Sequence, residues 1–313
     1  MLDILGKRYI FFALSLLVII PGLIILAVNG LPLAIDFKGG SLMELQFPSA
    51  QQIPATDAVV EIFNELGFRE VQVQTAVGSS GERDILVIRS PFIDEETKIT
   101  ITDTMEQRFA IDAIVVNRFD SVGPVIAQQV TNRAALAVAI AALAVVLYIT
   151  YAFRGIPHAL RYGICAIIAM IHDILIVFSI TAIGSIFWGW QMDSLFLTAL
   201  LTVIGFSTQD KIVVFDRIRE NSAFLRRLPF EKLANHSIVQ TLQRSINTQL
   251  MTVEFMLLAL ALFGGVTLRE FALILLVGLF SGTYSSIFVA APILVVWENK
   301  EWRTWFKKQQ ASA

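Results

Sequence analysis

Apolar runs long enough to cross a bilayer recur along this chain, and they restrict its possible folds more than any other feature. A helix of about 20 residues spans the roughly 30 Å hydrocarbon core of a membrane. Six such spans are expected, at about 9–28, 133–153, 162–183, 194–214, 246–263 and 271–297. A polar stretch separates the first two, so the pattern is one helix, one extramembrane domain and five further helices. The expected divisions are 1–30 with the first span, an outer domain at 31–131, a membrane domain at 132–298 and a tail at 299–313. A basic connection at 215–245 interrupts the membrane domain. Only 16% of residues are charged, where soluble domains carry about a quarter. The first run follows Lys7 and Arg8 as a signal peptide would, yet it has full span length and no small-x-small site before Asn29 and Gly30. A retained signal-anchor helix is expected.

Charge placement gives an orientation. Lys7 and Arg8, then Arg154 and Arg161, then Arg217, Arg219, Arg226, Arg227, Lys232 and Arg244, and finally Lys300, Arg303, Lys307 and Lys308 all fall on one side of a six-span arrangement. The opposite connections carry no basic residue at 184–193 and only Arg269 at 264–270. Positive loops face the cytoplasm, so both termini are expected there. The outer domain then lies outside, with 15 Asp and Glu against 7 Lys and Arg. Such an acidic exterior does not suit nucleic acid or anionic lipid headgroups. Trp188, Trp190, Trp297, Trp302 and Trp305 sit at span ends, as an aromatic belt would.

Within the outer domain, residues 41–47 alternate as a strand, and 56–66 carry a Thr/Asp start, apolar helical spacing and Gly67 as a stop. Segments 70–77 and 84–90 read as strands joined by a hairpin through Gly78 and Gly81. A helix over 94–109 and a strand over 113–122 complete the order βαββαβ, that of a ferredoxin-like domain. The chain holds one cysteine, Cys165, so it forms no internal disulfide. No Walker loop, HExxH, GxSxG or metal-spaced Cys/His cluster is present, which argues against an enzyme and against a bound cofactor.

Ionisable groups at bilayer depth are costly and point to function. Asp173 lies about halfway along the third span with His172 beside it; Asp210 and Lys211 lie near the inner end of the fourth; Glu254 lies halfway along the fifth. Asp173 reads either as a proton relay or as a tie between helices. Lys211 either snorkels to the interface or serves as a fixed positive partner for Asp173. His172 lies about 100° around the helix from Asp173 and need not share its partner. Glu254 is a second relay group or a lateral helix contact. His236, in the basic connection, is a weaker candidate. Gly264-Gly265 and Gly278/Gly282 permit close helix approach.

Several stretches together resemble the SecD/SecF family of protein-translocation accessory subunits, its SecF members in particular. They are Asp36-Phe37-Lys38-Gly39-Gly40, Val122-Gly123-Pro124, His172-Asp173, Gly205 to Lys211, Phe215-Asp216-Arg217-Ile218-Arg219-Glu220-Asn221, and Gln240 to Thr248 with Arg244 and Asn247. The resemblance covers about residues 5–300 and implies an RND-like membrane domain that pairs with a SecD-like subunit. It further implies a role in the bacterial inner membrane, where the proton-motive force assists preprotein translocation through the SecYEG channel. Asp173 is then the proton-coupling carboxylate, with Lys211 and Asp210 beside it, and the partners are SecD, SecYEG, the preprotein, protons and membrane lipid. Ala127, Gln129, Gln249, Met251 and Glu254 depart from the family's usual residues. Half of an RND-type exporter of lipids or small molecules, or a scaffold that moves no protons, are the alternatives.

Overall fold

The computed structural model describes residues 3–47, 53–76, 85–111, 114–154, 159–225, 227–249, 255–264 and 266–301. Helix α1 (Arg8–Asn29) leads to a short helix α2 (Ile35–Lys38) and the outer domain. There β1 (Gly40–Gln46), α3 (Thr56–Glu65), β2 (Gln72–Ala76), β3 (Ile85–Ser90), α4 (Glu95–Phe109) and β4 (Val115–Val122) follow in order. The strands form one antiparallel sheet in the order β2-β3-β1-β4. Side chains alternate across a strand, so Met43, Leu45, Leu86 and Ile88 share the face that packs on Ile62 and Phe63 of α3 and Ile101 and Met105 of α4. The other face carries Leu42, Glu44, Val87 and Arg89 and overlooks the membrane domain across a cleft of about 730 Å³.

Two helix starts in this domain behave differently. Asp94 caps α4 by accepting from the Thr97 amide at 2.9 Å, which a carboxylate at N-cap does well. The Thr/Asp start expected for α3 is not a cap: the N-cap position is Ala55 and no side chain bonds there. Thr56 and Asp57 lie inside the first turn instead. The hairpin loop between β2 and β3 lies outside the described residues.

The membrane domain comprises α5 (Pro124–Ala152), α6 (Ala159–Trp188), α7 (Ser194–Phe224), α8 (Phe230–Gln249), α9 (Phe255–Phe263), α10 (Val266–Ser285), a π-helical segment Ser286–Ala290 and α11 (Ala291–Glu298). Among the described residues, five helices are long and apolar enough to cross a membrane. Of the fifth span expected, 246–263, α8 reaches Gln249 and α9 covers Phe255–Phe263; residues 250–254, Glu254 among them, lie outside the described set. Gly265, Met251, Trp302 and Trp305 lie outside it too. Helix α5 begins nine residues before the expected span, because Pro124 at its first position is preset for a helix start. Helix α7 runs ten residues past the expected end at 214, since its polar inner portion is helical without being apolar.

One end of the bundle is closed by charge. Arg8 pairs with Glu231 at 2.8 Å and Glu301 at 2.7 Å, Arg161 pairs with Glu298 at 2.6 Å, and Asn235 accepts from the Ile4 amide at 2.9 Å. The other end joins the outer domain. The Asp36 carboxylate accepts from the Ser194 amide at 2.8 Å and its hydroxyl at 2.5 Å, while Asp193 accepts from the Phe196 amide at 2.7 Å. Two acids thus share the N-terminus of α7, where the helix dipole favours negative charge. Burial, and after it the charge of Asp36, holds the Asp193 carboxyl above its ordinary range. Gly39 and Gly40 have φ of +79° and +125°, and a Cβ on Gly40 would lie 2.6 Å from the Ser90 carbonyl; only glycine turns the chain here. Asp36→Ala is expected to cost about 1 kcal/mol, read as a lowered unfolding temperature of the purified protein, with Asp36→Asn restoring part of it.

Candidate functional site

Asp173 and Lys211, each about 1% exposed, meet at 2.7 Å between α6 and α7. Snorkelling to the interface is therefore not what Lys211 does: its stem stays inside the bundle and its ammonium ends on Asp173. The amine also bonds the Ser207 hydroxyl, one turn earlier on α7, and the Ser207 carbonyl at 3.3 Å. An i, i+4 spacing places both on one helix face.

The rest of the Asp173 environment comes from three helices. Its Oδ2 accepts from Ser207 Oγ at 2.5 Å and Ser285 Oγ at 2.7 Å, besides Lys211. Its Oδ1 accepts from Ser281 Oγ at 3.0 Å, and His172 Nδ1 lies 3.0 Å away in position to donate. His172, about 100° around the helix, shares none of the serine or lysine partners but folds back along α6 onto the carboxylate itself, stacked near Tyr284 of α10. Five donors thus converge on one carboxylate, which offers about four lone-pair positions. A site so rich in donors accommodates an ionised acid, and a protonated one would need a serine hydroxyl to turn and accept from it.

Glycines let the helices close around it. Gly282 brings the α10 backbone against Ser207, where a Cβ would lie 3.1 Å from the serine Cβ. Gly278, one turn further out, packs against Val203 of α7 and Val177 of α6. Outward of the acid cluster, this layer continues into an apolar core with Phe196, Leu200, Ile274 and Leu275.

The remaining sequence candidates lie elsewhere. Asp210 faces α8: its Oδ1 accepts from Ser245 Oγ at 2.8 Å. Asp216 pairs with Arg219 at 2.5 Å; Arg217 pairs with Glu220 at 2.6 Å and donates to Gln240 at 2.8 Å. Asn221 donates to Ser237 at 2.8 Å and Gln240 at 2.9 Å, fastening α7 to α8. Arg244 and Asn247 are exposed on α8, and His236 lies beside Gln240. Asp36, Gly39 and Gly40 shape the outer junction, and Gly123 and Pro124 start α5. Gln249, one of the departures from family pattern, donates to the Leu279 carbonyl at 3.0 Å.

Sequence reasoning missed Ser281 and Ser285, and held Ser207 only as part of the motif Gly205 to Lys211. Their one signal is spacing, since Ser281 and Ser285, like Ser207 and Lys211, stand four apart in apolar helices. It also missed the cleft pair Glu270, which accepts from the Gln191 amide at 2.9 Å, and Arg89. Burial lowers the pKa of Arg89, while Glu270 and Glu44 pull it back. Among the described residues, no group of three His, Cys, Asp or Glu side chains is placed to hold a metal ion.

Residues 101–300 match the family described as "Protein export membrane protein SecD/SecF, C-terminal", and residues 24–47 match the "SecD/SecF GG Motif". The chain is 65% identical over 308 residues to the protein translocase subunit SecF of Anaerolinea thermophila, covering 98% of each. It is 34% identical to the protein translocase subunit SecDF of Thermus thermophilus, covering 97% of this chain and 39% of that one. The crystal structure of SecDF, a translocon-associated membrane protein from the same organism, superposes with a TM-score of 0.81 at 30% identity over 95% of this chain, which spans 39% of that structure's length. The chain belongs to the SecD/SecF family.

Proposed function

We propose, from membership of the SecD/SecF family and the five-donor cage around Asp173, that this chain is a non-enzymatic, proton-coupled subunit of a SecD–SecF complex. It works in the bacterial inner membrane, with both termini cytoplasmic, and uses the proton-motive force to assist preprotein movement through the SecYEG channel. The order β2-β3-β1-β4 supports reading 31–131 as a ferredoxin-like outer domain, and α8 to α9 as the place of a sixth, RND-like span.

The observation that carries this reading is the cage. Protonating Asp173 turns one acceptor position into a donor, so at least one bond to Ser207, Lys211, Ser281 or Ser285 must break or reverse. Those bonds join α6 to α7 and α10, and their loss changes how the helices pack. A proton crossing the membrane field supplies about 2.3 kcal/mol per 100 mV, which is comparable to one or two such bonds.

The same bonds, left permanently ionised, would serve a scaffold that moves no protons. Asp173→Asn separates the two. In vesicles holding the SecD-like partner and the channel, the variant is expected to release preprotein at the rate seen without a proton gradient. Release that still responds to the gradient as in wild type would leave only the scaffold.

A further inference from the structure

Asp210 is a half-buried acid that the Asp173 cage leaves unused. It follows Ser207 by three residues on α7, about 4.5 Å along the helix axis toward the basic end. Its Oδ1 is held by Ser245, and its Oδ2 is buried with no hydrogen-bond partner among the described residues. Among the described residues, the charged groups facing it are Lys211 on its own helix and Arg244 on α8, and from α10 and the π segment it meets the Ser286 hydroxyl, already bonded to the Gly282 carbonyl. A cavity of about 120 Å³ opens beside it between α7 and α8, with Gln209, Arg244, Thr248 and Gln249 on its walls. Arg244 also lines a second, wider hollow of about 430 Å³ with Asp216 and Glu220. The two hollows share Val213 and Arg244 and follow one another from Asp210 toward the basic face as a fissure of mixed lining, Phe206 among it, whereas Val177, Val203 and Gly278 close the outward side of the cage.

We propose that Asp210 is a second proton-carrying carboxylate, the port through which protons pass between the Asp173 cage and the basic side of the membrane. The step balances as an exchange. Protonated Asp173 loses its proton and re-forms the carboxylate paired with Lys211, while ionised Asp210 gains it as a carboxylic acid. Asp210 then releases the proton to water in the fissure and is again ionised. Its spare Oδ2 is the atom that receives the proton, and Arg244 at the rim favours return to the ionised state. Lys211, adjacent to Asp210 in sequence and bonded to Asp173, keeps both acids from being neutral together. This inference rests on the proton-coupled reading of Asp173 and adds a direction to it.

The test is proton flux in vesicles containing the complete complex, with pH varied independently on each side. Asp173→Asn is expected to abolish flux; if it does not, the reading of the cage fails, whatever Asp210 does. With that established, Asp210→Asn is expected to lower flux about 100-fold, the lower range for a positioned proton-transfer group, and to remove its dependence on pH at the basic side alone. Asp210→Glu is expected to restore most of the flux. Flux in Asp210→Asn that matches wild type at every basic-side pH overturns the port. Should Asp210→Asn fail to assemble, Ser245→Ala reads the same point: it keeps the acid, removes its donor and is expected to shift the basic-side pH of half-maximal flux. An unshifted profile there overturns the port too.

Discussion

Lys211→Met is expected to destabilise the folded protein by about 3–5 kcal/mol, the range for stripping one partner from a buried ion pair. The methionine fills the space of the lysine stem but leaves Asp173 ionised and buried, with serine hydroxyls and one imidazole in place of a countercharge. Combining it with Asp173→Asn is expected to recover most of that loss, because the double variant buries no net charge. Removing both ions together is often close to neutral. Unfolding of the purified protein in mixed detergent micelles, followed by tryptophan fluorescence, gives the three free energies of the cycle. A single-variant loss below about 1 kcal/mol, the scale of exposed pairs, would mean water reaches the pair and the cage is not dry. Transport is a separate readout: the double variant should be stable and inactive, a combination that a structural tie alone does not produce.

Gly278→Leu carries the second large effect. The glycine sits one turn outward of Ser281, between Val203 on α7, one turn outward of Ser207, and Val177 on α6, one turn outward of Asp173. Even a methyl group there would overlap the Val203 side chain and lie 3.1 Å from that of Val177. Three helices must therefore separate, at a cost of about 1–3 kcal/mol or more for overpacking a core. The damage is expected to reach the acid cluster, lengthening Ser281 and Ser285 away from Asp173 and lowering proton-coupled release as well as stability. Gly278→Ala with Val203→Ala adds one carbon, removes two and takes away the overlapping methyl, and should retain both stability and release. Failure to retain them would show that the glycine matters for its backbone rather than for its size.

How much of this was readable in advance depended on the length scale of the signal. Apolar runs located the spans, and period-two and helical patterns located the outer domain's strands and helices, because both signals sum over many residues. Helix ends were harder. In α7 the residues from Phe215 to Phe224 form helix through contacts with α8, such as Asn221 to Ser237, so hydropathy stops before the helix does. Asp173 stood out because a lone charge in an apolar run has no other explanation. Its serine ligands did not, since Ser207, Ser281 and Ser285 are ordinary residues until the rotation of each helix about its axis is known. Asp36 was visible only as part of a motif. Its role in capping α7 depends on a contact with Ser194 across 158 positions of chain, which no local pattern encodes.

The π-helical segment Ser286–Ala290 divides one long helix into two pieces with separate rotational registers. A π turn holds one more residue than an α turn would, so the faces on either side are indexed independently. Before it, Ser281 and Ser285 are aimed at Asp173; after it, Glu298 is aimed at Arg161. Deleting one residue within 286–290 would turn the π turn into an α turn and leave the faces beyond it in place, whereas winding all five residues as α-helix would turn everything beyond them by about 100°. In that second case the acid cluster would keep its serines, and the ion pair at the basic end would be lost. The local irregularity thus works as a phase shifter, by which a single strand of helix satisfies two sites whose geometries no uninterrupted α-helix could meet together.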